Sequence, residues 1–285
     1  MAEVKSAIPR QTHPDGAVVL NGDHPLVRPM AAKTRASSIY FTVEDRQNEF
    51  DHCYYLKDRW VFRKYGSNSE PIIDAETIPI TLKGELIYNI ANSAAVLAAV
   101  EGMQTKVPVP LETVQSVLQE FGEDPNDNLT RFTMLRLKDD FVLLCRCKNP
   151  DSARRDTEIV KKIQKKYQFD CLIGIMTAVG NRREDHIKRL SANIANICQY
   201  LFIVPPDEEY LRTRTGSEIV RLLSENIPKE RILSTENLPL AAVINLTKRK
   251  VKGSCLYVYF NALWNADLDI QALINQAKTV PIDIN

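Results

Sequence analysis

The chain has 285 residues, 44% hydrophobic and 26% charged, with a formal net charge of +1. That balance is ordinary for a globular protein, and so small a charge gives no electrostatic reason to expect nucleic acid. No apolar run approaches the ~18 residues needed to span a bilayer, so no membrane partner is expected either.

The first third reads as short strands and turns. AVVLNGDHP (Ala17 to Pro25) is a buried strand ending in an Asn-Gly-Asp turn. SIYFTV, HCYYL and RWVFRK follow as strands with little room for helices between them, and Gly66 to Pro71 reads as a loop. IPITLKGELIYN suggests another strand with a turn at Gly84. Asn89 to Gly102 is a helix whose small residues Ala91, Ala94, Ala95 and Ala98 suit close packing, and Leu111, Val114, Leu118 and Phe121 form a second helical stripe. FGEDPNDNLTRF, rich in turn residues, marks the expected boundary between domains.

From about Arg131 strands and helices alternate. FVLLCR, CLIGIMT, YLFIV, RILS and CLYVYF are the strands. Helices are expected at Ser152 to Tyr167, at Glu184 to Gln199, after a capping-box spacing at Thr215–Glu218, and at Pro239 to Thr247. Apolar runs alternating with helices predict an α/β fold with a parallel sheet covered by helices.

The opening MAEVKSAIPRQTHPDG lacks an apolar signal-peptide core, so a cytoplasmic protein is expected. Of the six cysteines, all but Cys53 lie in or beside apolar runs, as structural thiols do in a reducing compartment. His13, His24, His52 and His186 have no metal-ligand spacing relative to them. No GxxxxGK[ST] phosphate loop, HExxH or Ser/His/Asp arrangement is present.

Ligands of open parallel sheets sit where strands end and loops enter helices. Two such loops carry arginines: Asn181, Arg182 and Arg183 follow CLIGIMT, and Arg212 and Arg214 follow YLFIV. If the two strands are neighbours, the four arginines converge on one edge as an anion site. The competing reading is two solvated loops that each open a helix.

In order along the chain, these segments resemble the Mur ligase family. LNGDHPLV is similar to its LNADDPLV strand-turn, and GELIYNIANSAAVLAA to its G-x-HNxxNxxAA helix, with Asn89 and Asn92 on the two asparagines. NLTRF resembles the GRF linker, with Arg131 on the nucleotide-contacting arginine. VLLCRCKNPDSA resembles VDYAHNPDA, but Cys145 stands where the ribose-binding aspartate belongs and Lys148 where the histidine belongs. VGNRREDHIKRL and LRTRTGSEI are similar to forms found in the cyanophycin synthetase branch, with Asn181 replacing an aspartate.

The resemblance implies a truncated central ATPase domain over residues 1–125, without its phosphate loop, and a Rossmann-like C-terminal domain over 126–285. It implies ATP and Mg²⁺ as cofactors, with Asn89, Asn92 and Arg131 on the nucleotide. It further implies an acidic or arginine-bearing peptide against Asn181, Arg182, Arg183, Arg212 and Arg214, the four arginines being equally suited to a phosphate. Three readings remain open: a module of an ATP-dependent amide ligase, inactive alone; a non-catalytic scaffold that binds a peptide or a ligase; or a relic whose product folds poorly. The expected partners are a second polypeptide carrying the phosphate loop, or a full-length ligase. An incomplete first sheet would expose a strand edge, which invites such a partner or a second copy.

Overall fold

β-branched and aromatic residues recur between residues 17 and 74, and there the backbone forms strands. The computed structural model describes residues 2–124, 127, 131–260, 277–280 and 282. The chain divides into two compact units, residues 1–127 and 128–284.

In the first unit, the short helices α1 (Ala2–Lys5) and α2 (Ala7–Gln11) precede β1 (Ala17–Asn21). Strands β2 (Ser37–Thr42), β3 (His52–Lys57), β4 (Trp60–Tyr65) and β5 (Asn68–Asp74) complete a sheet of order β1-β2-β3-β4-β5. β1, β2 and β3 run parallel, while β4 and β5 return antiparallel. β1 is an edge strand among the described residues. The Asn21-Gly22-Asp23 turn ties it to β2: Asp23 accepts from the Val43 N–H at 2.8 Å and from the Thr42 hydroxyl. Gly22 is required there, since a Cβ would lie 2.6 Å from the Phe50 ring.

Helix α3 (Ile87–Met103) packs through Ile90, Ala94, Leu97 and Ala98 against Ile39, Tyr54, Val61 and Ile73, and α4 (Leu111–Glu120) adds Val114 and Leu118. Two expectations are corrected here. The stretch around Gly66 to Pro71 is not only a loop, because β5 begins at Asn68. IPITLK is not a strand: Ala75–Thr77 and Pro79–Thr81 are single 3₁₀ turns that bury Ile78 and Thr81. The Thr81 hydroxyl donates to the Ala75 and Ile78 carbonyls, which favours the coiled path.

The second unit comprises β6 (Thr133–Leu137), β7 (Asp140–Leu144), α5 (Pro150–Tyr167), β8 (Cys171–Met176), α6 (Glu184–Ala195) and β9 (Tyr200–Ile203). It continues through α7 (Glu208–Leu211), α8 (Gly216–Ser224), β10 (Ile232–Ser234), α9 (Leu240–Lys248), β11 (Cys255–Tyr259) and β12 (Lys278–Thr279). Its sheet has the order β10-β9-β8-β11-β7-β6-β12. The first five of these run parallel, with β6 and β12 antiparallel at one side.

All residues of β8 and β11 are buried, as central strands covered on both faces require. Leu135, Val142, Ile173, Phe202 and Tyr257 belong to the shared core. The Thr215–Glu218 spacing does form a capping box: the Thr215 side chain accepts from the Glu218 N–H, and the Glu218 carboxylate accepts from the Thr215 N–H. β6 had no counterpart in the sequence reading. The fold is mixed α/β with a mostly parallel sheet in the second unit.

Candidate functional site

Because β7, β8, β9 and β11 are parallel, their C-terminal ends share one edge of the second sheet. The segment leaving β7 stays extended along the end of β11. Its Cys145 N–H donates to the Tyr259 carbonyl at 2.8 Å, and its Cys147 N–H to that of Phe260 at 2.7 Å. Side chains of an extended segment alternate between faces. Cys145 and Cys147 turn inward and are fully buried; the Cys147 thiol donates to Asp156 on α5 at 3.0 Å. Burial, and then the Asp156 carboxylate, push both thiols well above the usual thiol range. Arg146 and Lys148 fall on the other face.

Asn149 then starts α5, its side chain accepting from the Ser152 N–H at 2.8 Å with Pro150 in the first turn. Arg131 enters the same edge from β6, since the neighbouring Phe132 N–H donates to the Leu144 carbonyl at 2.8 Å. The Arg146 guanidinium beside Lys148, together with partial burial and the charges of Arg131 and Arg182, holds the Lys148 ammonium below the ordinary lysine value. None of Arg131, Arg146, Lys148 and Arg182 forms an ion pair with a carboxylate among the described residues. The Arg146 Nε is buried without a hydrogen-bond partner there.

β8 and β9 are neighbours, so the two arginine-bearing loops do meet. Gly180 lies at the crossing, its N–H donating to the Tyr210 carbonyl at 2.9 Å. A Cβ on Gly180 would sit 1.8 Å from the Leu211 carbonyl oxygen, so only glycine lets these backbones touch. Arg214 clamps the crossing by donating to the Gly180 carbonyl and, at 2.7 Å, to the Arg182 carbonyl. Arg183 forms a two-bond pair with Asp185 at 2.9 and 3.2 Å. Arg212 is exposed, with a positive φ of 54° where α7 ends, and Asn181 is exposed beside Arg182. Of the four arginines, Arg214 and Arg183 are thus engaged in local structure, while the charge of Arg182 is felt at Lys148.

The nucleotide-side candidates are divided between the units. In the first, Asn89 is 2% exposed; its amide donates to the Ile80 carbonyl at 2.5 Å and accepts from the exposed Asn92 amide at 3.2 Å. Arg131 belongs to the second unit and is exposed. Asn128, Leu129 and Thr130 of the linker motif lie outside the described residues. Sequence reasoning missed Arg146 as a site residue and counted Lys148 only as a lost histidine. The alternating Cys-Arg-Cys-Lys run at the end of an apolar strand was the available signal.

No family model matches the chain. The cyanophycin synthetase of Geminocystis herdmanii is 28% identical over 239 residues, which cover 81% of this chain and 26% of that protein. That of Synechocystis is 27% identical over 259 residues, covering 87% and 28%. Among solved structures, a murein peptide ligase from Psychrobacter arcticus aligns over 96% of this chain and 54% of its own, with a TM-score of 0.62 and 13% identity. This is a Mur-ligase-like region. A folylpolyglutamate synthase from Mycobacterium tuberculosis shares the fold of the Mur-ligase-like region over 93% of the chain, with a TM-score of 0.59 and 13% identity. The chain spans about a quarter of the length of the curated relatives it matches.

The residues present fit a nucleotide poorly. Ribose hydroxyls need an acceptor, and at position 145 the Mur-ligase-like region offers a fully buried neutral thiol. The Asn89 amide is engaged within its own unit. Among the described residues, no group of three or more His, Cys, Asp or Glu side chains is placed to hold a metal ion. No described helix is long and apolar enough to cross a membrane.

Proposed function

We propose that these 285 residues are a cyanophycin-synthetase-like module of an ATP-dependent amide ligase, part of a central domain followed by a Rossmann-like one, and that they do not form amide bonds alone. The observation that carries the reading is the match to cyanophycin synthetases over about four-fifths of the chain, combined with the closed, neutral position at Cys145. Phosphoryl transfer depends on dense positive charge and metal ions around the phosphates. Folylpolyglutamate synthase from Yersinia pestis, which shares the fold, was crystallised with AMPPNP and a Mn ion. In this chain no GxxxxGK[ST] loop is present to hold such phosphates. The catalytic unit is completed by a segment carrying that loop or by a full-length ligase. The edge of β1, unpaired among the described residues, is a ready place for a strand from it, or from a second copy.

The chain's own contribution is the carboxyl edge of its second sheet, where the loop of Asn181 and Arg182 and the loop of Arg212 meet an acidic or arginine-bearing peptide. Incubating the chain with ATP, Mg²⁺, an aspartate oligopeptide and arginine should give no ADP and no new amide, by phosphate release and mass spectrometry. Amide formation by the chain alone overturns the reading.

A second reading, a non-catalytic scaffold, is favoured by the internal engagement of Asn89 and the closure of Cys145. It requires that the chain bind a full-length cyanophycin synthetase without changing its turnover. Under the module reading, turnover changes.

A further inference from the structure

Four cations gather at the carboxyl edge of the second sheet, and none of them is paired with a carboxylate among the described residues. Arg146 and Lys148 share one face of the extended segment after β7, Arg131 enters beside them ahead of β6, and Arg182 comes from the loop after β8. Three of the nearby acidic groups are otherwise engaged. Asp185 is paired with Arg183, Glu184 lies 4.0 Å from Arg214, and Asp156 is buried on the inner side with the Cys147 thiol.

The Mur ligase pattern for this turn carries one aspartate and a histidine. Here Cys145 and Lys148 replace them, which removes one negative charge and adds one positive. Like charges gathered at one edge repel, so the arrangement is unfavourable until an anion joins it. The Arg146 guanidinium above all, and then partial burial, hold the Lys148 ammonium below the ordinary lysine value. The buried Arg146 Nε has no hydrogen-bond partner among the described residues, so it is a donor with room for an acceptor.

We propose that Arg131, Arg146, Lys148 and Arg182 form a binding site for an oligophosphate anion carrying three or more negative charges. A monoanion would leave most of the cluster uncompensated. Three of the four cations are guanidinium groups, whose planar forks match phosphate oxygens in pairs. The site does not rest on the ligase reading, and either can fail without the other.

The test is calorimetric titration of the 285-residue chain with sodium tripolyphosphate in about 50 mM salt, where screening is modest. We expect one tripolyphosphate per chain, and an affinity that falls as salt rises. Arg146→Gln and Lys148→Gln should each weaken binding about tenfold, as loss of one charge-assisted bond implies. Arg189→Gln, which removes the same charge elsewhere in the unit, should change it less than about twofold. ATP should bind within about threefold of tripolyphosphate, because Cys145 offers its ribose no acceptor.

Thermal melts of each variant show whether it is folded. Lys148 is exposed, so Lys148→Gln decides the question should Arg146→Gln fail to fold. The proposal is overturned if tripolyphosphate does not bind, or if the folded Lys148→Gln variant binds it as tightly as the parent. It is equally overturned if ATP binds while tripolyphosphate does not, or if an aspartate oligopeptide binds more than about tenfold tighter than tripolyphosphate.

Discussion

Restoring the family's aspartate at position 145 should damage this chain in a pH-dependent way. Cys145 is fully buried, its N–H is tied to the Tyr259 carbonyl, and the Asp156 carboxylate already lies on its inner side. A carboxylate introduced by Cys145→Asp would be desolvated and would face a second acid. Burial of that degree raises a carboxyl pKa by roughly 3 units or more, about 4 kcal/mol at 1.36 kcal/mol per unit. The folded-state pKa then lies above the unfolded value of about 3.9. Destabilisation is therefore absent below about pH 4, grows as pH rises, and levels off above the raised pKa. Cys145→Asn carries the same polar bulk without a charge, so it isolates the electrostatic part. Urea unfolding should place the aspartate variant about 1.5 kcal/mol below the asparagine variant at about pH 5, and about 4 kcal/mol below it at about pH 7. A gap that stays constant with pH, or stays under about 0.5 kcal/mol at neutral pH, would refute the reasoning. Position 145 would then be open to water and able to meet a ribose.

Gly180→Ala should cost about 3 kcal/mol, because its Cβ would collide with the Leu211 carbonyl and break the Tyr210 bond. A melting temperature unchanged from the parent would contradict the crossing described here. Asn89→Ala should lower stability by about 2 kcal/mol in urea, since it strips the Ile80 carbonyl of its 2.5 Å donor; a variant as stable as the parent would return Asn89 to the ligand side. None of the six buried thiols should react with Ellman's reagent in the native chain, and all should react after denaturation. Cys53, for instance, is pushed up to about 11 by burial. Lys248 bonds Asp140 at 2.7 Å; desolvation opposes its charge, but that bond, with Cys255 nearby, raises its pKa. Its contribution is full below the ordinary lysine value and is lost as pH rises through the raised one, so Lys248→Met should flatten the alkaline fall of the melting temperature.

The second unit was the more legible half, and the reason is physical. β8 and β11 are buried on both faces, so their sequences are unbroken apolar runs, and Thr215 with Glu218 carries a cap in its spacing alone. β5 was hidden because Asn68 to Pro71 is exposed and built from turn formers, and only its pairing with β4 makes it a strand. IPITLK has apolar residues at strand spacing, yet hydroxyl bonds from Thr81 wind it into turns. At the site, position along the chain placed the arginine loops on one edge. It could not show that Arg214 serves two carbonyls or that Asp185 neutralises Arg183. Those depend on which neighbour each guanidinium reaches first.

The place of β11 has a consequence for how the chain is made. It is the last of the parallel strands to be synthesised, yet it lies in the middle of the sheet, between β7 and β8. Until it emerges from the ribosome, β7 and β8 have no common partner, and the Asp140 carboxylate lacks the Cys255 N–H. The nascent second unit must wait with two open strand edges, while the meander β3-β4-β5 can close from neighbours already made. A chain cut just before Cys255 would therefore lose the centre of its sheet rather than an edge. Chaperone dependence and aggregation of truncated products should track that one strand.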